Sequence, residues 1–262
     1  MVDERVAGVP VEQLVGWVTF CGLRILVDRG VFVPRRRTEL LVRESVGLAR
    51  RVDGPVVVDL CCGSGAVGAA IAAALPSVEL HAVDIDPVAV RCASRNLAGA
   101  GASVYEGDLD APLPITLAGR VDVLVANAPY VPSGEIGMLP REARVHEPRT
   151  ALDGGTDGLD VLRRLAAAAL RWLAPAATCW SRRVSGRPSR SQSSSPAIGC
   201  VRASHETTRW TPPSSSGCVR AYAPMSSSRL PSPFPYEERQ GTDHAQADRD
   251  RVRHPQVYRL AA

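Results

Sequence analysis

Val56-Val57-Val58-Asp59-Leu60-Cys61-Cys62-Gly63-Ser64-Gly65 is an apolar run that ends in an acid and then in a glycine-rich turn. Val56–Leu60 is largely β-branched and without polar alternation, the pattern of a strand buried on both faces of a parallel sheet. The turn leads into residues 65–75, an alanine-rich helix stopped by Pro76. Strand, glycine turn and helix in that order present backbone N–H groups at the carboxyl edge of a sheet. Gly63 and Gly65 read as positions where a Cβ would hold a ligand off the backbone, and Asp59 and Cys61 of the same segment are expected to bind that ligand with them. Alone the turn is a weak signal, because NAD enzymes use a similar one and the third glycine of the dinucleotide fingerprint is missing.

Downstream the same alternation repeats. Residues 80–85 read as a second strand, Pro87–Leu97 as a second helix, residues 103–107 as a short third strand, Val121–Ala126 as a fourth, and residues 159–173 as a long helix. This βαβαβ order predicts an α/β fold with a parallel sheet and right-handed crossovers. Asp84 ends the second strand about twenty residues past the glycines, where a carboxylate can accept both hydroxyls of a ribose. Asp86 reads as the cap of the next helix, with Pro87 at its first position. After the third strand, Asp108 is placed to accept from an adenine amine and Leu109 to cover a ring face.

The fourth strand ends in Asn127-Ala128-Pro129-Tyr130. An amide or aryl amine nitrogen has a delocalised lone pair, so it needs an orienting clamp more than a strong base. The Asn127 carbonyl and the backbone carbonyl of Ala128 can accept its two N–H groups and aim the lone pair at an electrophile. Pro129 stiffens the turn and biases Ala128 to an extended conformation, and Tyr130 offers a flat face to the substrate plane. With the upstream nucleotide turn, this motif points to methyl transfer from S-adenosylmethionine to nitrogen, with Asn127 touching both cofactor and acceptor.

Upstream of residue 53, two apolar stretches flank Cys21-Gly22 and read as a β-hairpin. Residues 38–50 have helical spacing, with Leu40, Leu41, Ser45 and Leu48 on one side and Thr38 as N-cap. The basic residues are all arginine. Residues 1–175 hold 18 arginines against 21 acids, and residues 176–262 hold 13 against 6, so the net charge of +4 belongs to the tail. The mildly acidic core argues against nucleic acid as direct substrate. The seven cysteines show no zinc spacing, so no metal is expected. The N-terminus has no signal-peptide pattern and no run approaches a membrane span, so a cytoplasmic protein without a membrane partner is expected.

At these residues the chain resembles the HemK/PrmC family of protein glutamine methyltransferases, whose turn is Asn-Pro-Pro-Tyr. Ala128 replaces the first proline, as in an actinobacterial-type subgroup. The stretch Gly30-Val31-Phe32-Val33-Pro34-Arg35 through Thr38-Glu39 resembles the segment before that family's core. The motif His146-Glu147-Pro148, Ala151-Leu152-Asp153-Gly154-Gly155 and Asp157-Gly158-Leu159 resembles its loop after the catalytic turn. That loop separates the family from adenine-DNA and ribosomal-RNA methyltransferases. The resemblance covers roughly residues 5–175. It implies a Rossmann-like class I sheet, S-adenosylmethionine as cofactor, Phe32 with Asn127, Pro129 and Tyr130 in the acceptor pocket, and a release factor or ribosomal protein as substrate. The alternative use of the same turn is methylation of an exocyclic amine on a nucleic-acid base. Residues 1–52 read as a remnant of the family's substrate-recognition region and residues 53–175 as the methyltransferase core.

The resemblance stops near Pro175. Residues 176–236 hold 15 serines, 8 prolines and 8 arginines with one acid, Glu206, the composition of a disordered basic tail that could alternatively bind RNA. Read one frame over in GC-rich codons, AATCWSRRVSGRP becomes GGHLLVETGERQA, which resembles the family's next strand. SHETTRWTPPSSSG likewise yields ARDDEVDATVVIG, resembling its last. A frameshift that leaves the sheet incomplete after its fourth strand, with Val121–Ala126 as a bare edge and activity impaired, is therefore expected.

Overall fold

A computed structural model describes residues 1–182 and 198–202. Two short helices, α1 (Val2–Val6) and α2 (Val11–Val15), precede a hairpin of β1 (Trp17–Phe20) and β2 (Leu23–Leu26). Phe20 pairs with Leu23, and the connecting Cys21 and Gly22 both take positive φ, as a tight two-residue hairpin turn demands.

Helix α3 (Glu39–Ala49) buries Leu41, Val42, Ser45, Val46 and Ala49. Leu40 and Leu48 are only half-buried, so the inward face is turned from the one expected. Thr38 holds the N-cap position without a capping bond, and its Oγ1 is buried without a partner among the described residues. The cause is the preceding 3-10 turn (Arg36–Thr38), which leaves Thr38 at φ −78°, ψ −14° instead of the extended conformation from which a cap reaches back.

The sheet core is β3 (Val56–Leu60), α4 (Ala66–Ala74), β4 (Glu79–Asp84), α5 (Pro87–Leu97), β5 (Ser103–Glu106) and β6 (Val121–Ala126). All five residues of β3 are buried. Strands β5, β4, β3 and β6 lie side by side and parallel. Because β4 pairs on one side of β3 and β6 on the other, the winding direction reverses at β3, which opens a crevice at its carboxyl end. Val57, Val123 and Val125 pack with α3, α4 and α5 in one layer. Val58, Leu60 and Leu124 pack with α7 (Asp160–Trp172) in the other. Helix α6 (Arg141–His146) lies in the loop between β6 and α7.

The sheet does not end at β6. Strand β7 (Leu173–Arg182) runs parallel to it, and β8 (Ile198–Arg202) pairs antiparallel to β7. The expected bare edge at Val121–Ala126 is therefore corrected. A strand as buried as β6 leaves its ladder groups unsatisfied without a neighbour on each side. The register slips between Val121 and Val123, on the part of β7 that contains Pro175, which has no N–H to give the ladder. The predicted disordered tail is likewise corrected at 176–182 and 198–202, and otherwise lies outside the described residues. No helix of the described residues is long and apolar enough to cross a membrane.

Candidate active site

The carboxyl ends of β3, β4, β5 and β6 open onto one cavity of about 420 Å³. Its floor is the turn after β3. Gly63 has φ +56°, and a Cβ there would meet nothing within 4 Å. Gly65, at φ +75°, caps α4, and its Cβ would lie 3.1 Å from the Ala93 Cβ of α5. Gly63 leaves open space above the backbone, whereas Gly65 lets two helices close. The ligand-approach reading of Gly65 is thus replaced by a packing one. Cys61, at φ +57°, lines the cavity, and enclosure keeps its thiol protonated by pushing its pKa up.

The two strand-end acids divide their work. Asp59, expected at the ligand, is instead buried away from the cavity, where its Oδ2 accepts from the Gly68 N–H of α4 at 3.0 Å. Burial pushes its carboxyl up to about 7, the Gly68 N–H pulls it back, and neighbouring Asp84 adds to the rise. Asp84 lines the cavity; its Oδ2 accepts from Gly63 N at 2.7 Å and its Oδ1 from Asp86 N at 3.0 Å. Burial raises its pKa against those two N–H donors. Asp86 caps α5 through Val88 N at 2.8 Å, as expected.

Beyond β5, Asp108 reaches the cavity rim and pairs with Arg164 of α7 at 2.7 Å. Leu109 is buried in the cavity wall at φ +52°. A residue other than glycine persists in that conformation only where its surroundings over-determine it. Asp110 accepts from Trp172 Nε1 at 2.8 Å, so α7 holds this loop twice. The contribution of α7 was not foreseen, because neither pair is local in sequence.

Asn127 stands where the first cavity meets a second of about 330 Å³, and it lines both. Its Oδ1 is buried and has no partner among the described residues. Phe32 and Ala151 share that dividing wall; Pro129 faces the first cavity, Ala128 and Tyr130 the second. The Tyr130 hydroxyl accepts from Arg37 Nη2 at 3.2 Å. The motif is braced by the later loop: Val131 N donates to Leu152 O at 2.9 Å and Gly154 N to Val131 O at 2.8 Å, a one-residue parallel bridge. A Cβ on Gly154 would lie 2.8 Å from the Tyr130 Cα, which explains glycine there.

Glu147, on the same loop, is buried beside the second cavity. Its Oε1 accepts from Val33 N at 3.3 Å and from Arg35 Nη2 at 2.5 Å. Burial raises its pKa while the Arg35 guanidinium draws it back down. This ties the segment bearing Phe32 to the loop that braces Asn127.

Residues 23–157 match the family described as methyltransferase small domain. The chain belongs to that family. Within this methyltransferase family, a release factor glutamine methyltransferase of Streptomyces coelicolor is 39% identical over 177 residues, covering 67% of this chain and 63% of that protein. A 4-amino-L-phenylalanine/4-methylamino-L-phenylalanine methyltransferase of Streptomyces pristinaespiralis is 37% identical, covering 66% of this chain and 61% of the other. A ribosomal protein uL3 glutamine methyltransferase of Burkholderia pseudomallei is 40% identical, over 63% of this chain and 57% of the other. The chain thus spans about three fifths of the length of these curated relatives.

Proposed function

We propose that this chain transfers a methyl group from S-adenosylmethionine to the side-chain amide nitrogen of a protein glutamine, in a release factor or ribosomal protein of the cytoplasm. Residues 53–175 form the catalytic core in this reading. The observation that carries it is Asn127, whose buried carbonyl has no partner among the described residues and stands at the junction of two cavities. The glutamine relatives in Streptomyces coelicolor and Burkholderia pseudomallei support it.

The residues of the first cavity fit the cofactor. The open backbone at Gly63 leaves room for its methionine part, the Asp84 carboxylate suits ribose hydroxyls, and Leu109 with Asp108 suits the adenine. When bound, S-adenosylmethionine supplies an electrophilic methyl on a sulfonium. In the second cavity Asn127 Oδ1 and the Ala128 carbonyl accept the two N–H groups of the acceptor amide. Held so, the amide turns its π lone pair toward the first cavity. The same two acceptors stabilise positive charge as it grows on nitrogen. Phe32 and Tyr130 wall the plane of the amide and keep water from it.

A second acceptor class, the aryl amine of a free amino acid, is favoured by the Streptomyces pristinaespiralis relative. The clamp needs only a planar nitrogen with two N–H groups. The exocyclic amine of a nucleic-acid base is the less favoured use of the turn, given a core with an acidic balance. Incubating the full chain with labelled cofactor and, in turn, release factor, 4-aminophenylalanine and ribosomal RNA decides among them. Label on a glutamine, located by mass spectrometry, is the expected result. Label on the small amine or on RNA alone would replace the proposal.

A further inference from the structure

The second cavity holds an unmet demand for hydrogen-bond donors. Among the described residues six buried side-chain polar atoms have no partner, and two belong to residues lining this cavity: Asn127 Oδ1 and Glu147 Oε2. Both are acceptors. A buried oxygen without a donor is costly, and its persistence beside a cavity signals that a ligand completes it. The Asn127 acceptor is absorbed by the amide clamp described above. That of Glu147 is not.

Glu147 is no loose surface acid. Its side chain is 1% exposed, and its other oxygen is held by Val33 N and Arg35 Nη2. The carboxylate is therefore fixed in orientation before any ligand arrives. Arg35 balances its charge, and the Arg35 guanidinium rests 5.4 Å from the centre of the Phe32 ring at the wall between the cavities. A neutralised, preoriented acceptor suits an uncharged N–H. It suits an ammonium group less well, because Arg35 and Arg37 line the same cavity and its second acid, Glu142, is paired with Arg5.

We propose that Glu147 is a specificity-determining residue of the acceptor cavity, its Oε2 accepting a hydrogen bond from an amide N–H of the substrate that flanks the methylated nitrogen. This rests on the reading of the second cavity as the acceptor site. A polypeptide offers such an N–H beside its glutamine side chain, on the backbone. Glu147 thereby favours a glutamine within a peptide over a free planar amine.

The test uses the full chain, labelled cofactor, and synthetic glutamine peptides in which each flanking backbone amide is replaced in turn by an ester. Glu147→Gln keeps the side-chain shape and the Oε1 acceptor but puts an NH₂ where the free oxygen was. The expected result is a KM for the all-amide peptide about ten-fold higher, the loss of one hydrogen bond, with kcat nearly unchanged. One ester peptide should lose about the same factor with the wild-type chain and nothing further with E147Q. Affinity for S-adenosylhomocysteine should stay at the wild-type value in the variant, while the thermal midpoint drops only by what the lost charge opposite Arg35 accounts for. Equal peptide KM for both proteins overturns the proposal. So does a variant that loses cofactor affinity and thermal stability together, which would make Glu147 a structural strut. A wild-type chain that binds S-adenosylhomocysteine yet methylates no peptide overturns the proposed function, and this inference with it.

Discussion

Asp84 Oδ2 accepts the Gly63 N–H at 2.7 Å, which ties the tip of β4 to the turn after β3 at the floor of the first cavity. The acid thus shapes the turn and faces the ligand at once. Asp84→Asn preserves size but removes the charge, and a hydrogen bond to a charged group is worth about 1.5–3 kcal/mol. Affinity for S-adenosylhomocysteine, measured by calorimetry, should fall by roughly ten-fold to a hundred-fold. An unchanged affinity would place the ribose elsewhere.

The two glycines of the turn should separate stability from binding. Alanine at either must hold a positive φ, at a cost of about 1–2 kcal/mol. Gly65→Ala also drives a methyl against Ala93, adding overpacking of about 1–3 kcal/mol. Gly65→Ala should therefore show the larger drop in thermal midpoint, and Gly63→Ala the larger loss of cofactor affinity relative to its stability change.

Removing the clamp should spare the cofactor site. Asn127→Ala is expected to lower kcat by about 10²–10³, the usual consequence of losing one preorganised transition-state contact. Cofactor affinity should stay within a few-fold, since other residues line most of that cavity. A variant with near-normal kcat would remove Asn127 from the chemistry.

Stability should fall as pH rises from 5 to 8. The Asp59 carboxyl sits at about 7 in the folded protein, against about 3.9 in an unfolded chain. Between those values the folded state holds a proton that the unfolded state has released, so stability present at low pH is lost through pH 7. Asp153 and Asp157 are held low by Ser133 and Arg163, so they are ionised in both states across that range and leave the slope unchanged. Thermal midpoints across that range should decline for the wild type and flatten in Asp59→Asn.

The frame hypothesis has a direct physical test. Replacing residues 176–188 by GGHLLVETGERQA puts a Leu-Leu-Val run where β7 now carries Cys179, Trp180 and Ser181 against Leu124, Val125 and Ala126. Completing the shifted frame to the chain end should raise the thermal midpoint and methyl-transfer rate. Codons in the gene that cannot encode those residues one frame over would end the idea.

What could be read from the sequence was what is locally encoded. The Val56–Leu60 run, the glycine turn, Asp86 with Pro87, and the Cys21-Gly22 hairpin carry their structure in adjacent residues. Strand β7 does not: with Pro175 near its start and no alternation, its pairing follows from the unfilled ladder of β6. The role of Glu147 needs Val33 and Arg35, more than a hundred positions away, and the packing task of Gly65 needs α5. Thr38 misled because capping depends on the backbone before it, which residue type alone does not disclose.

Helix α7 grips the loop after β5 at Asp108 and Asp110, and Trp172 passes directly into Leu173, the first residue of β7. A nucleoside settling against Leu109 therefore presses on the joint through which the last strands dock. In the proposed reading, ligand occupancy and the docking of β7 are then linked through α7. The wall of the first cavity and the strand beside β6 thus share one helix as their support, so a substitution that loosens α7 should weaken both.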